Sequence, residues 1–275
     1  MRAHHALLAP LLLAAGCFGG GGLPDAGDDG ALTTGAPDLA PLCSGNNDGV
    51  IERGELAFPV GLSVSYLVNP AGTTAAVNPD GTMGADGLEW DLSSTAGEVH
   101  QLTIESVADK WFAAHFPDAT YATTTDVASG TLGVFKVTDE ALLLLGYASP
   151  EQGRTLLVYD QPVATLHFPV RLGDAWVTGA TIKGGTLEGT PFASRDTYRI
   201  SVDARGAAVL PYLRFPNTLR IHVELSEALP GGQSVLRIQH LFFHECYGEL
   251  GRMVSQTGET DPSFQQAAEF RRLAL

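Results

Sequence analysis

Short stretches in which apolar and polar residues alternate recur along most of the chain, and clusters of turn-forming residues separate them. Residues 62–68 (LSVSYLV) alternate in this way and are followed by the turn cluster 69–72 (NPAG). Residues 88–92 (LEWDL) alternate as well, after a second cluster at 78–81 (NPDG). A period of two is the pattern of β-strands with one buried face. The chain has 32 glycines and 16 prolines, which favours turns and short strands over long helices.

From residue 57 onwards, strand-like segments begin about every ten residues, a spacing typical of β-sandwiches and barrels and not of βαβ units. We therefore predict an all-β fold, either a single β-sandwich or a partly open β-barrel, with minor helical turns. Two stretches favour helix instead. Residues 108–115 (ADKWFAAH) predict one or two helical turns, and residues 263–275 (SFQQAAEFRRLAL) predict a short terminal helix capped by Ser263.

The first 17 residues, MRAHHALLAPLLLAAGC, are organised like a secretory signal. Arg2 precedes an apolar run at 7–15, which is shorter than the roughly 20 residues that a membrane-spanning helix needs. Small residues then lead to Cys17, and this ending resembles the lipobox of bacterial lipoproteins, with Ala14 where leucine is most common. The resemblance implies that Cys17 is acylated and becomes the first residue of the mature chain. An ordinary signal peptide that is cut nearby is the alternative.

This interpretation predicts four segments. Residues 1–16 are the lipoprotein signal peptide, and residues 17–42, rich in Gly, Pro and Asp, are a flexible tether. An EF-hand-like loop at 43–56 and a β-rich extracytoplasmic domain at 57–275 follow. The predicted partner is a membrane, reached through the lipid anchor. The predicted location is the cell envelope, at the outer membrane or the cell surface.

Residues 43–56 (CSGNNDGVIERGEL) resemble the calcium-binding loop of EF-hand proteins. In such a loop, alternate residues aim oxygens at one point, a glycine at position 6 allows the bend, and a glutamate at position 12 closes the coordination sphere. The resemblance implies a possible Ca²⁺ site, with Ser44 standing where aspartate is usual. Prolines near both flanks leave little room for helices, and a turn with solvated acidic neighbours is the alternative. The implied ligands are Ser44, Asn46, Asp48, Val50, Glu52 and Glu55.

The chain has three cysteines, and two of them are left once Cys17 is assigned to the lipid. Because disulfides persist outside the cytoplasm, we predict a bridge between Cys43 and Cys246; two free thiols are the alternative. His240, His244 and Cys246 would share one face of a strand, but the two histidines would then stand about 13 Å apart. That separation is too large for one metal ion on a straight strand, so a structural role is favoured.

Two segments, 87–93 (GLEWDLS) and 116–120 (FPDAT), resemble secreted β-rich proteins of gliding bacteria. The later stretches 202–206 (VDARG) and 218–221 (TLRI) fit the same group. The resemblance covers about half of the chain. It implies a β-rich architecture and an extracytoplasmic setting, and it supplies no catalytic residue.

The formal net charge is −15, so the chain lacks the basic surface that nucleic-acid binding requires. Neither the G-x-S-x-G frame of serine hydrolases nor the P-loop frame occurs. We therefore predict a membrane-anchored lipoprotein, not an enzyme, with a structural or binding role and an unidentified protein or ligand partner. One alternative is a half-open β-barrel that carries an apolar ligand. Another is a hydrolase that acts on the envelope, which would need titratable groups converging in one pocket.

Overall fold

The computed structural model describes residue 43 and residues 45–274. The predicted signal peptide at 1–16, the predicted tether at 17–42 with the predicted lipidation site Cys17, and Ser44 lie outside the described residues. Two 3-10 helices occur, at Arg53–Glu55 and Ala113–His115, and the second confirms a helical turn within 108–115. The strands are β1 (Ser63–Val68), β2 (Ala75–Ala76), β3 (Thr82–Gly84), β4 (Gly87–Asp91), β5 (Glu98–Thr103), β6 (Tyr121–Asp126), β7 (Thr131–Val137), β8 (Ala141–Ala148), β9 (Leu156–His167), β10 (Ala175–Leu187), β11 (Thr190–Val209), β12 (Arg214–Ala228), β13 (Ser234–His244), β14 (Gly248–Ser255) and β15 (Gln266–Leu273).

Twelve of these strands form one antiparallel sheet in the order β5-β1-β15-β14-β13-β12-β11-β10-β9-β8-β7-β6. The ten strands from β6 to β15 are each next to their neighbours in the chain, which is an up-and-down meander. Directly after β5, Glu105 exchanges backbone hydrogen bonds of 2.8 and 3.0 Å with Ala122 of β6, so the two edges of the sheet meet. The all-β prediction is confirmed, and the sheet is a nearly closed barrel.

Because neighbouring strands are antiparallel, successive connections alternate between the two ends of the barrel. The connections β7–β8, β9–β10, β11–β12 and β13–β14 lie at one end, together with the start of β1. Cys246 lies in the β13–β14 connection and is bonded to Cys43, so we name this end the Cys43 end. The other connections of the meander lie at the opposite end, the far end.

The chain before β1 runs across the Cys43 end and covers it. Ile51 and Val170 exchange backbone hydrogen bonds of 3.0 and 2.9 Å, which joins this segment to the β9–β10 connection. Further along, the ring of Phe58 stacks on the ring of Tyr121, with the centroids 5.5 Å apart. Ile51 and Leu56 are buried. The barrel is thus closed at this end by the segment that leads into it.

The long excursion between β1 and β5 covers part of the outer wall. Its strand β4 pairs in parallel with the end of β11, and Trp90 of β4 packs on Phe242 of β13 with ring centroids 5.0 Å apart. The indole N–H of Trp90 donates to the carbonyl of Pro79. The wall therefore buries apolar side chains on both faces here, which explains the nearly uninterrupted apolar run at the end of β13.

The predicted terminal helix is wrong, because residues 266–273 form β15. This strand pairs with β14 on one side and with β1 on the other. Its alternating residues Ala267, Glu269 and Arg271 are all buried. Pairing on two sides and a buried inner face outweigh the helix-forming composition of the segment.

Candidate functional site

Cys43 and Cys246 form a disulfide, as the sequence predicts, with their Cα atoms 5.4 Å apart. The bridge joins residues that are 203 positions apart in the chain. Cys246 adopts a positive φ of 65° in the tight β13–β14 connection, and its N–H donates to the carbonyl of Glu55. The first described residue is therefore fixed covalently to the barrel.

In the acidic loop that follows Cys43, two side chains accept hydrogen bonds from backbone N–H groups two residues further along the chain. The Asn46 side-chain carbonyl accepts from the N–H of Asp48 at 2.9 Å. The Asp48 carboxylate in turn accepts from the N–H of Val50 at 2.7 Å. These are successive Asx turns, and Gly49 between them has the positive φ of 78° that the bend requires.

A carboxylate from the barrel, that of Glu245, holds the same loop from the other side. Its Oε2 accepts from the N–H of Asn47 at 2.5 Å and its Oε1 accepts from the N–H of Gly49 at 2.9 Å. Asn47 and Gly49 both have positive φ, so their amides point to one side and form a nest for an anion. Sequence reasoning missed Glu245, because the residues that it contacts lie almost 200 positions earlier in the chain.

The last two acids of the predicted calcium loop form a capping box at the 3-10 helix Arg53–Glu55. Glu55 Oε2 accepts from the N–H of Glu52 at 2.8 Å. Burial raises the pKa of Glu55, the hydrogen bond from Glu52 opposes this, and the negative charges of Glu245 and Asp48 raise the pKa further. Glu55 therefore lies close to two other acidic side chains.

Asn46, Asp48 and Val50 lie in the loop at 45–50, Glu52 and Glu55 lie at the 3-10 helix that follows it, and Ser44 lies outside the described residues. Within the described part of the chain, no three His, Cys, Asp or Glu side chains form a group that could hold a metal ion. The hydrogen bonds above account for the shape of the loop, and calcium binding stays a prediction.

The histidines of β13 make structural contacts. The Nε2 of His240 bonds to the carbonyl of Pro262 at 2.7 Å, and the Nδ1 of His244 bonds to the carbonyl of Glu245 at the same distance. Burial lowers the pKa of His240 to about 4 and also lowers that of His244. Both rings are therefore neutral at pH 7, in agreement with the structural role that the sequence favours.

The interior of the barrel carries charged groups on β14 and β15, next to each other. Arg252 Nη2 donates to Glu249 Oε2 at 2.6 Å, and Arg271 Nη2 lies 2.9 Å from Glu269 Oε1. Arg271 Nη1 lies 4.0 Å from Glu249 Oε1, which links the two pairs. All four side chains are buried. Burial raises the pKa of Glu249 to about 7 against the charges of Arg252 and Arg271, so pairing offsets only part of the cost of burying this carboxylate.

A second polar cluster lies inside the barrel towards the far end. Asp196 of β11 and Glu227 of β12 are directly opposite each other in the sheet, and both side chains are buried, at 3% and 4% exposure. The Tyr159 hydroxyl donates to Asp196 Oδ2 at 2.6 Å and lies 2.9 Å from the Tyr198 hydroxyl. Burial, together with the negative charge of the neighbouring Asp196, raises the pKa of Glu227 to about 8, against the opposing effect of Arg237.

Burial also raises the pKa of Asp196, against the hydrogen bond from Tyr159. The pair thus keeps a proton on Glu227 at neutral pH, which avoids two adjacent buried negative charges. Such a pair resembles an acid–base dyad in composition, but both carboxyls are enclosed by the wall of the barrel. In this conformation the protonation of the two carboxyls affects the stability of the barrel.

Comparisons of the chain with protein-family models, with curated proteins and with solved structures give no match. None of the helices in the described residues is both long enough and apolar enough to cross a membrane.

Proposed function

We propose that the chain is a lipid-anchored extracytoplasmic protein, acylated at Cys17, whose β-barrel has a structural or binding role at the cell envelope. The observation that carries the proposal is the disulfide between Cys43 and Cys246. Structural disulfides are typical of extracytoplasmic compartments, which agrees with the secretory signal that the first 17 residues predict.

The position of the bridge suits an anchored protein. Cys43 directly follows the predicted tether, so any pull on the lipid anchor reaches the chain at this residue. The bridge passes that load to the β13–β14 connection of the barrel, and the loop at 45–50 is held there by Glu245 as well. The disulfide and Glu245 thereby keep the segment that covers the Cys43 end attached to the barrel.

The interior of the barrel disfavours the two alternative functions. An apolar cargo needs a continuous apolar inner face, whereas Glu249, Arg271 and Glu269 occupy the interior here. A hydrolase needs titratable groups that a substrate can reach, whereas Asp196 and Glu227 are enclosed. A rigid module that presents its outer surface fits these features best.

The test is the fractionation of cells that express Cys17→Ser, with labelled palmitate as a second readout. We expect the unchanged chain to take up label and to float with membranes. We expect Cys17→Ser to do neither, because no thiol is left to acylate at that position. Cys43→Ser is the matched control, since it also removes one cysteine and should leave both labelling and flotation intact. Membrane association of an unlabelled Cys17→Ser chain would contradict the proposal.

A further inference from the structure

The exposed large apolar side chains of the described residues are distributed unevenly over the molecule. Four of them, Val60, Leu172, Tyr212 and Leu213, lie in segments at the Cys43 end. Tyr212 is 79% exposed, and the other three are between 43% and 54% exposed. The remaining three, Met83, Val99 and Val177, lie on β3, β5 and β10 and not in connections between strands.

The far end differs in this respect. Its five connections are all described, and none of them contains an exposed large apolar side chain. Exposed acids occur at both ends, among them Glu151, Glu188 and Asp261 at the far end and Asp139 and Glu140 in the β7–β8 connection of the Cys43 end. The two ends of the barrel therefore differ in their exposed apolar side chains, while both carry exposed acids.

Tyr212 and Leu213 form the tip of the β11–β12 hairpin, and this tip is rigidly supported. The N–H of Leu210 donates to the carbonyl of Leu213 at 2.8 Å, which closes the turn. Below the tip, the ring of Phe215 packs on the rings of Tyr247 and His244, with centroid distances of 4.8 and 5.4 Å. Tyr247 directly follows Cys246, so the tip stands beside the point where Cys43 is attached.

The length of chain before Cys43 limits how far the Cys43 end can move from the anchor. Residues 17–42 are 26 residues, which span at most about 90 Å when fully extended. That chain enters the barrel at the end that carries the exposed apolar side chains. Tyrosine is enriched where proteins meet the headgroup region of a bilayer, because its ring is apolar and its hydroxyl is polar.

We propose that the β11–β12 tip, through Tyr212 and Leu213, inserts into the interfacial layer of the bilayer that holds the lipid anchor. The Cys43 end then lies on the membrane, and the far end faces away from it. This inference rests on the proposed lipid anchor. The contact is apolar, so it does not depend on anionic headgroups.

The experiment uses the acylated mature chain in phosphatidylcholine vesicles that contain a lipid brominated on its acyl chains, which quenches nearby tryptophans. The probe is Y212W, and the matched control is Q152W, at an exposed position in the β8–β9 connection of the far end. The signal of the unchanged protein is subtracted, because Trp90, Trp111 and Trp176 are already present. We expect quenching and a blue shift of the emission for Y212W and neither for Q152W.

A third probe, L172W, separates the tip from the rest of the Cys43 end. Its quenching should fall when Tyr212→Ser and Leu213→Ser are added, while the melting temperature stays unchanged because both residues are exposed. Loss of quenching without any change in flotation would show that the tip, and not the anchor, holds this end on the bilayer.

The outcomes distinguish the two proposals. If the protein floats with the vesicles but Y212W and Q152W are quenched equally, the insertion of the tip is refuted and the anchor stands. If the protein does not float, both are refuted. A blue shift of Y212W that depends on protein concentration and appears without vesicles would show that a second copy covers the tip, which also overturns the proposal.

Discussion

The most informative single residue inside the barrel is Glu227. It lies opposite Asp196 on the neighbouring strand. Its carboxyl is buried, and the charge of Arg237 opposes the rise of its pKa. An ionised carboxylate in this place would have to be desolvated beside a second acid. The protein avoids that cost by keeping Glu227 protonated at neutral pH.

The raised pKa predicts a specific dependence of stability on pH. Folding raises the pKa of Glu227 from its ordinary value of 4.5 to about 8, so between these values the folded state binds more protons than the unfolded state. Stability therefore falls as the pH rises through this window. Glu227→Gln cannot ionise, and it should gain on the order of a few kcal/mol relative to the unchanged protein at pH 8 and almost nothing near pH 4.

Urea denaturation of both proteins at a series of pH values measures this difference. Glu224→Gln, on the same strand but with its side chain on the outer face, is the matched control and should follow the unchanged protein. A curve for Glu227→Gln that runs parallel to that of the unchanged protein from pH 4 to pH 8 would refute the assignment.

At the scale of elements, the loop at 45–50 is held both by hydrogen bonds within the loop and by a residue far away in the chain. The sequence pattern accounts for the two Asx turns, since Asn46 and Asp48 accept from residues two positions ahead. The pattern does not contain Glu245, whose carboxylate accepts from Asn47 and Gly49. These hydrogen bonds hold the loop in place by themselves.

Calcium binding to this loop is tested by isothermal titration calorimetry on the full mature chain. We expect weak, saturable binding with a dissociation constant of about 10⁻⁴–10⁻³ M, because Ser44 lowers the number of carboxylates. Asp48→Asn keeps an acceptor for the N–H of Val50 but removes one charge, and it should weaken the binding clearly. Asp86→Asn, at an exposed position outside the loop, is the control. Equal heats for all three proteins would remove the calcium prediction.

β15 shows where local composition misleads. Residues 263–275 contain good helix formers, and they predict a helix when considered alone. In the barrel, β14 and β1 both offer unpaired backbone groups, and residues 266–273 satisfy them on both sides. Two rows of hydrogen bonds and a buried inner face decide the conformation. Neither can be predicted from the sequence of the segment alone.

At the scale of the whole molecule, the disulfide ties the beginning of the described chain to a connection near its end. In the chain-entropy model, a bridge across 203 positions restricts the unfolded chain, and it contributes about 5 kcal/mol to the free energy of unfolding. It also keeps the covering segment in place over the Cys43 end. The covering segment closes the barrel, and the bridge holds that segment in place.

Cys43→Ser should lower the free energy of unfolding by about 2–5 kcal/mol, as measured by guanidinium denaturation. A reducing agent should lower the stability of the unchanged protein to the level of this variant and leave the variant itself unaffected. Cys17→Ser keeps the bridge and serves as the control. If the oxidised protein and Cys43→Ser unfold at the same denaturant concentration, the bridge does not stabilise the barrel.

The sequence by itself determined the strand-rich class of the fold, because alternation and turn residues act within a few positions of each other. It also pointed to the pairing of Cys43 with Cys246, because one cysteine was assigned elsewhere and only two were left. Only the tertiary structure decided that the sheet closes into a barrel, that Glu245 holds the loop, and that Asp196 faces Glu227. These contacts join residues far apart in the chain, and they depend on strand register and closure, which no local pattern encodes.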